Sequence, residues 1–266
     1  MNRFNKLKVS QFKRMTKKMV FSQIRCASTV DDYNSLIDGS LQSYRISGVE
    51  SALREMRENK IEPNNFTRSL LIEYNNQIND VKDAFEQFQL LRKSNVAISD
   101  ATYTSLLRNF SRNDGAQYVD KVFPTIKTPN FKQYELAIKA YANASNFDAA
   151  NKLFQQMKKD QVHITPSVYA SMMRLTSGKK DLNQTVALWE ELKQRNINPN
   201  LHHFDSLFYL YDTLGDQNGI EKTLQEVVYY DISPEGVQEE NSYSLSLVRR
   251  LQSGGDSKSK KTQKKK

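Results

Sequence analysis

Apolar residues along this chain recur at three- and four-residue steps, the spacing of one face of an α-helix. In the stretch Asp32 to Asn64 a first group is Tyr33, Leu36, Ile37 and Leu41. A second is Val49, Ala52, Leu53 and Met56, and the stretch closes on Ile61-Glu62-Pro63-Asn64. The pattern predicts two amphipathic helices of about a dozen residues each, a length that is marginal in isolation and cannot bury its own apolar face. The pair therefore requires neighbours of its own kind, and the rest of the chain supplies five.

Self-similarity locates them. With Tyr33, Tyr103, Tyr134, Tyr169 and Phe204 as markers, units begin at Val30, Asn65, Asp100, Phe131, Pro166 and Leu201, and a partial unit begins at Gly236. The successive intervals are 35, 35, 31, 35, 35 and 35 residues. The second helices align best: Val81, Ala84, Phe85, Phe88 and Leu91; Phe147, Ala150, Leu153, Phe154 and Met157; Leu182, Val186, Trp189 and Leu192. At this spacing the aromatics and methionines are packing residues rather than a cofactor pocket. The third unit is four residues short, its second helix compressed by Pro124. The fold class is all-α, an α-solenoid of about six helix–turn–helix repeats over residues 30–235. A capping helix over 236–251, bearing Tyr243, Leu245, Val248 and Leu251, is expected to cover the last apolar face. Residues 252–266 contain no apolar side chain and are expected to be a disordered lysine-rich tail.

Charge changes this picture only at the ends. Of a net charge of +9, residues 1–28 carry +8 and residues 252–266 carry +5, which leaves −4 on residues 29–251. A mildly acidic body argues against a simple basic sleeve for nucleic acid. The first 28 residues are basic, acid-free and amphipathic, with Phe4, Leu7, Phe12, Met15 and Met19 at helical steps and Arg25 before Cys26-Ala27-Ser28. That is the composition of a mitochondrial transit peptide, so a matrix location is expected; the alternative is a retained basic arm. One cysteine excludes an internal disulfide, and no apolar run approaches the ~18 residues of a membrane span. His163, His202 and His203 do not form a ligand set, and no phosphate-cradling glycine loop or nucleophile elbow occurs. No catalytic residue, metal or cofactor is expected. Glu190, Glu191 and Lys193 read as a solvated face.

The 35-residue period, the Tyr-Asn-Ser-Leu-Ile opening at 33–37, Met56 late in the second helix and the Ile61-Glu62-Pro63-Asn64 ending resemble the pentatricopeptide repeat. So do Pro63-Asn64-Asn65-Phe66-Thr67 and Ile197-Asn198-Pro199-Asn200. The resemblance spans residues 30 to about 251. It is preferred over the tetratricopeptide repeat, whose period is about 34 residues and whose Trp/Leu-Gly/Tyr opening is absent. What it implies is an organellar α-solenoid that binds single-stranded RNA, one base per repeat. In that family the fifth and last residues of a repeat choose the base and the second sandwiches it. Carried over, Asn34 with Asn64 implies a pyrimidine and Thr104 with Asn130 an adenine, while Ser69 with Ser99 is poorly defined. Phe66 and His202 offer rings at the second position. Glu135 with Thr165, Ala170 with Asn200, and Asp205 with Glu235 depart from the pattern. The family's groove lysine falls on Gln42, Gln77, Asn143, Gly178 and Thr213.

Two readable units at about 1–3 kcal/mol per base contact supply roughly 2–6 kcal/mol, short of the ~11–15 kcal/mol of typical specific complexes. The expected partners are therefore single-stranded organellar RNA (messenger, ribosomal or intron) together with protein partners. Transcript processing, splicing, stability or translation is the expected role. The alternative is a protein-interaction scaffold, such as a mitochondrial ribosome-associated subunit.

Overall fold

The computed structural model describes residues 29–231 of the 266-residue chain. The expected transit segment, capping helix and lysine tail lie outside the described residues. Contacts divide the chain at 127/128 into two compact units. In the first, α1 (Val30–Gln42), α2 (Ile46–Glu58), α3 (Asn65–Ile78), α4 (Val81–Lys93), α5 (Asp100–Arg112) and the short α6 (Ala116–Val122) are followed by a 3-10 turn, Phe123–Thr125. In the second come α7 (Phe131–Asn143), α8 (Phe147–Lys159), α9 (Pro166–Gly178), α10 (Leu182–Gln194), α11 (Leu201–Leu214) and α12 (Gln217–Tyr229). The described residues are all-α and contain no strand. The odd-numbered helices begin on the residues where the sequence repeats begin.

Cap chemistry explains those starts. Thr29, Asn64, Ser99, Asn130 and Asn200 each precede a first helix, and each side chain accepts from a backbone amide of its first turn. Thr165 makes no such bond, and there Pro166 at the first helical position pre-sets the backbone instead. The last residue of one repeat is thus the N-cap of the next. Helix exits are equally periodic. Tyr44, Asn79, Asp114, Ser145, Lys180 and Gly215 end first helices at positive φ, and Lys60, Asn95, Gln161, Asn196 and Asp231 end second helices the same way. In the shortened third repeat the equivalent residue, Ile126, is extended, because Pro124 has turned the chain into the 3-10 turn.

Packing follows the sequence pattern. Around the first hairpin, Tyr33, Ile37, Leu41, Val49, Ala52, Met56 and Leu70 form one buried cluster. The second-helix aromatics each meet the next repeat's marker ring: Phe88 with Tyr103 in the first unit, Phe154 with Tyr169 and Trp189 with Phe204 in the second. The centroid separations are 5.9, 5.8 and 5.2 Å, all edge-on. Ala84 and Ala150 are fully buried.

Glu191 and Lys193 are not a solvated face. Lys158 Nζ lies 2.7 Å from Glu191 and Lys193 Nζ lies 3.0 Å from Glu226. The second helices of the second unit are thus tied by the same pair one repeat apart. Glu191 also accepts from Tyr169 (3.0 Å) and pairs with Arg195 (3.1 Å). Burial opposes its ionisation, but the surrounding Lys158, Tyr169 and Arg195 hold its carboxyl below the usual range.

Candidate nucleic-acid interface

In the first unit the structure brings Asn34 and Asn64 together: Asn34 Nδ2 donates to Asn64 Oδ1 at 3.3 Å. The pair is closed by Thr67, whose Oγ1 donates to Asn34 Oδ1 at 2.7 Å, while Asn64 Oδ1 also accepts from the Thr67 amide at 2.9 Å. Asn34 is only 2% exposed. The capping box of α3 has drawn the fifth residue of the preceding repeat into its hydrogen bonds. Ser69 Oγ donates to Asn65 O within α3, and Thr104 Oγ1 donates to Asp100 O within α5, at 3.2 and 2.7 Å. Ser99 caps α5 and Asn130 caps α7. Phe66 stands 57% exposed on α3. One turn beyond the fifth position, this unit presents carboxylates at two of three repeats. Asp38 accepts from Gln42 at 3.0 Å, and Glu73 accepts from Ser105 Oγ.

The second unit is built differently on the same helix faces. Glu135, at the fifth position of α7, accepts from Thr165 Oγ1 and pairs with Lys132, at 2.7 and 2.6 Å. This is again a fifth-position and last-position pair in direct contact. Beside it, α7, α9 and α11 wall a cleft of about 660 Å³. Lys139, Asn143, Arg174, Asp205 and Tyr209 are among its lining residues, with serine hydroxyls and His202. Lys139, Arg174 and Tyr209 are equivalent, 35 residues apart. Arg174 Nη2 donates to Asn143 Oδ1 at 2.7 Å. It remains exposed, yet enough protein surrounds the guanidinium that desolvation alone lowers its pKa. Asn143 and Gly178, two of the positions where the family carries a groove lysine, line this cleft as neutral residues; the cations sit one turn earlier.

The adjacent histidines separate. His202 lines the cleft. His203 is fully buried, with Nδ1 accepting from the Asn200 amide and Nε2 donating to Pro166 O, each at 3.0 Å. Burial pushes its pKa down to about 4, so it is a neutral capping-box residue. Among the described residues no cluster of His, Cys, Asp or Glu could hold a metal, and no helix is long and apolar enough to cross a membrane.

Sequence reading missed Lys139, Arg174 and Tyr209. Two cations on helix surfaces look like ordinary solvated charge, and only their common step of 35 residues could have marked them.

Paired helices that repeat at this step, each capped by its predecessor's last residue, define an all-α helical-repeat protein of the solenoid class. Family models match over two stretches: the pentacotripeptide-repeat region of PRORP over residues 136–258 and the PPR repeat over residues 32–61. The chain belongs to the pentatricopeptide repeat family. A chloroplastic pentatricopeptide repeat-containing protein of Arabidopsis thaliana is 24% identical over 170 residues, covering 61% of this chain and 22% of that protein. Pentatricopeptide repeat-containing protein 1, mitochondrial, of Rattus norvegicus is 20% identical over 162 residues, covering 57% of this chain and 24% of that one. The chain spans less than a quarter of either relative. The crystal structure of the maize pentatricopeptide repeat protein PPR10 superposes with a TM-score of 0.55 at 20% identity, over 94% of this chain and 38% of that one.

Proposed function

We propose that this protein binds single-stranded RNA in mitochondria and acts, without catalysing a reaction, in the processing, splicing, stability or translation of organellar transcripts. One observation carries the reading. The side chains at the fifth and last positions of a repeat, which the family uses jointly on one base, are direct neighbours here: Asn34 with Asn64 at 3.3 Å and Glu135 with Thr165 at 2.7 Å. The proposed base contacts are Asn34, Asn64, Phe66, Ser69, Ser99, Thr104 and Asn130. The transit-like composition of residues 1–28 supports the location, as does kinship with proteins named mitochondrial and chloroplastic. The side chains that could do chemistry are spent on structure: His203 on a cap, Glu191 and Glu226 on ion pairs.

A second reading, a protein-docking scaffold of the mitochondrial ribosome kind, draws on the burial of Asn34, whose amide is occupied at both ends. Binding of the purified chain to single-stranded RNA libraries discriminates. Base reading requires that Asn34→Ala and Thr104→Ala change the preferred bases by about 1–3 kcal/mol per position. If neither variant alters preference, the array does not read bases through those repeats, and loss of all RNA binding would leave the scaffold.

A further inference from the structure

In the cleft of the second unit two cations face the same space without a carboxylate between them. Among the described residues neither Lys139 nor Arg174 forms an ion pair. The one bond that holds the guanidinium is to a neutral acceptor, Asn143 Oδ1. The partly buried lysines of this unit's second helices are matched, Lys158 with Glu191 and Lys193 with Glu190 and Glu226, whereas Lys139 and Arg174 are exposed to the cleft. An exposed guanidinium held by one neutral acceptor keeps further N–H donors to offer an anion, and charge-assisted bonds are the stronger kind. Lys139 and Arg174 occupy equivalent places on α7 and α9, so an extended anion crossing these helices meets one cation after the other. The third equivalent residue is a ring, Tyr209, and His202 lies at the same end. Asp205 also lines that end and would repel an anion there, while the Lys139–Arg174 end attracts one.

We propose that Lys139 and Arg174 form a phosphate clamp that grips the backbone of a single-stranded RNA in the second unit, with Tyr209 and His202 receiving an adjoining base. This rests on the RNA reading above and deepens it: the clamp anchors the strand without regard to sequence, independently of the base contacts proposed for the first unit. The ligand chemistry is alternating phosphates and planar bases, which the cleft answers with cations at one end and rings at the other. An acidic peptide would satisfy the cations but bring no planar base to the rings, and it would meet Asp205.

The test measures binding of the full chain to a random-sequence 20-nucleotide single-stranded RNA and to a polyglutamate peptide, across a salt series. Variants are Lys139→Gln, Arg174→Gln, the double variant, Arg174→Lys, and Lys152→Gln as a control on an exposed residue of α8. A phosphate contact on a single strand contributes about 0.7 to the slope of log affinity against log salt. The double variant is therefore expected to lower that slope by about 1.4 and to weaken binding to the same degree for every RNA tested. Arg174→Lys should keep the slope, and Lys152→Gln should change nothing. Melting curves confirm that each variant folds.

If the double variant binds RNA with the slope of the control, the clamp is wrong while the RNA reading stands. If the unaltered chain binds no RNA, the RNA reading fails and the clamp with it. Cleft-dependent binding of polyglutamate in place of RNA would overturn the assignment to nucleic acid.

Discussion

Asn34 and Arg174 both stand on first helices, one in each unit, and their surroundings are opposite. Asn34 occupies a base-reading position of the family yet is closed in by Asn64 and Thr67. Arg174 matches no position that the family pattern marks, yet it opens onto a cleft with Lys139 and holds only a neutral acceptor. The first unit places Asp38 and Glu73 where the second places Lys139 and Arg174. The units also differ in how their second helices are joined. Lys158–Glu191 and Lys193–Glu226 cross between helices in the second, whereas Lys82 and Glu86 pair within one helix in the first, exposed and 3.9 Å apart. Place in a repeat sets which helix face a side chain joins. Whether it is free to meet a ligand depends on the partners the neighbouring repeat supplies.

The contrast can be strained by substitution, beginning where the effect is largest. Trp189 is 3% exposed, packs edge-on against Phe204 and donates to Glu226. Trp189→Ala should cost about 3–5 kcal/mol, read by thermal or denaturant unfolding. The second unit should also be the acid-sensitive one. An unfolded chain protonates His203 near pH 6.5, while the folded chain resists until about 4, so acid favours unfolding within that window. Stability should fall by about 3 kcal/mol between those values and level off below. His203→Gln should abolish this component, because Gln133 fills the same capping-box place on α7.

Smaller effects probe the ties between helices. Glu191→Gln removes the charge shared by Lys158 and Arg195, and a loss of about 1 kcal/mol is expected for these partly exposed pairs. A double-mutant cycle with Lys158→Gln isolates the Lys158 share. At the small end, Lys60 and Gln161 sit at φ 54 in the two units. Lys60→Gly and Gln161→Gly should each stabilise by about 0.5 kcal/mol, since relief of left-handed strain is partly offset by the freer unfolded chain. Equal gains in both melts would show that the helix exits, unlike the polar sites, are equivalent in the two units.

The architecture was legible because period, caps and packing all repeat. Tyr33, Tyr134 and Tyr169 marked the register, and helices begin on the residues that it predicted. Phe88, Phe154 and Trp189 were recognisable as core because burial demands the same face every time. The interface was less legible, because exposure depends on partners far apart in sequence. Nothing local to Asn34 shows that Thr67 will occupy its carbonyl, and nothing local to Glu191 shows that Lys158 will reach it. The Lys139–Arg174 pair escaped notice because neither residue falls where the family carries its groove lysine. It is the geometry of α7, α9 and α11 that turns two surface charges into one site.

Through Lys139 and Arg174 the second unit grips the RNA backbone. Ultraviolet crosslinking of the full chain to cellular RNA, with mass-spectrometric mapping of the crosslinked peptides, tests it most directly. Crosslinks are expected in peptides of α7, α9 and α11 that contain or flank Lys139, Arg174 and Tyr209, and should be lost in the Lys139→Gln/Arg174→Gln variant. Crosslinks confined to the lysine tail at 252–266, or to the first unit alone, would contradict it.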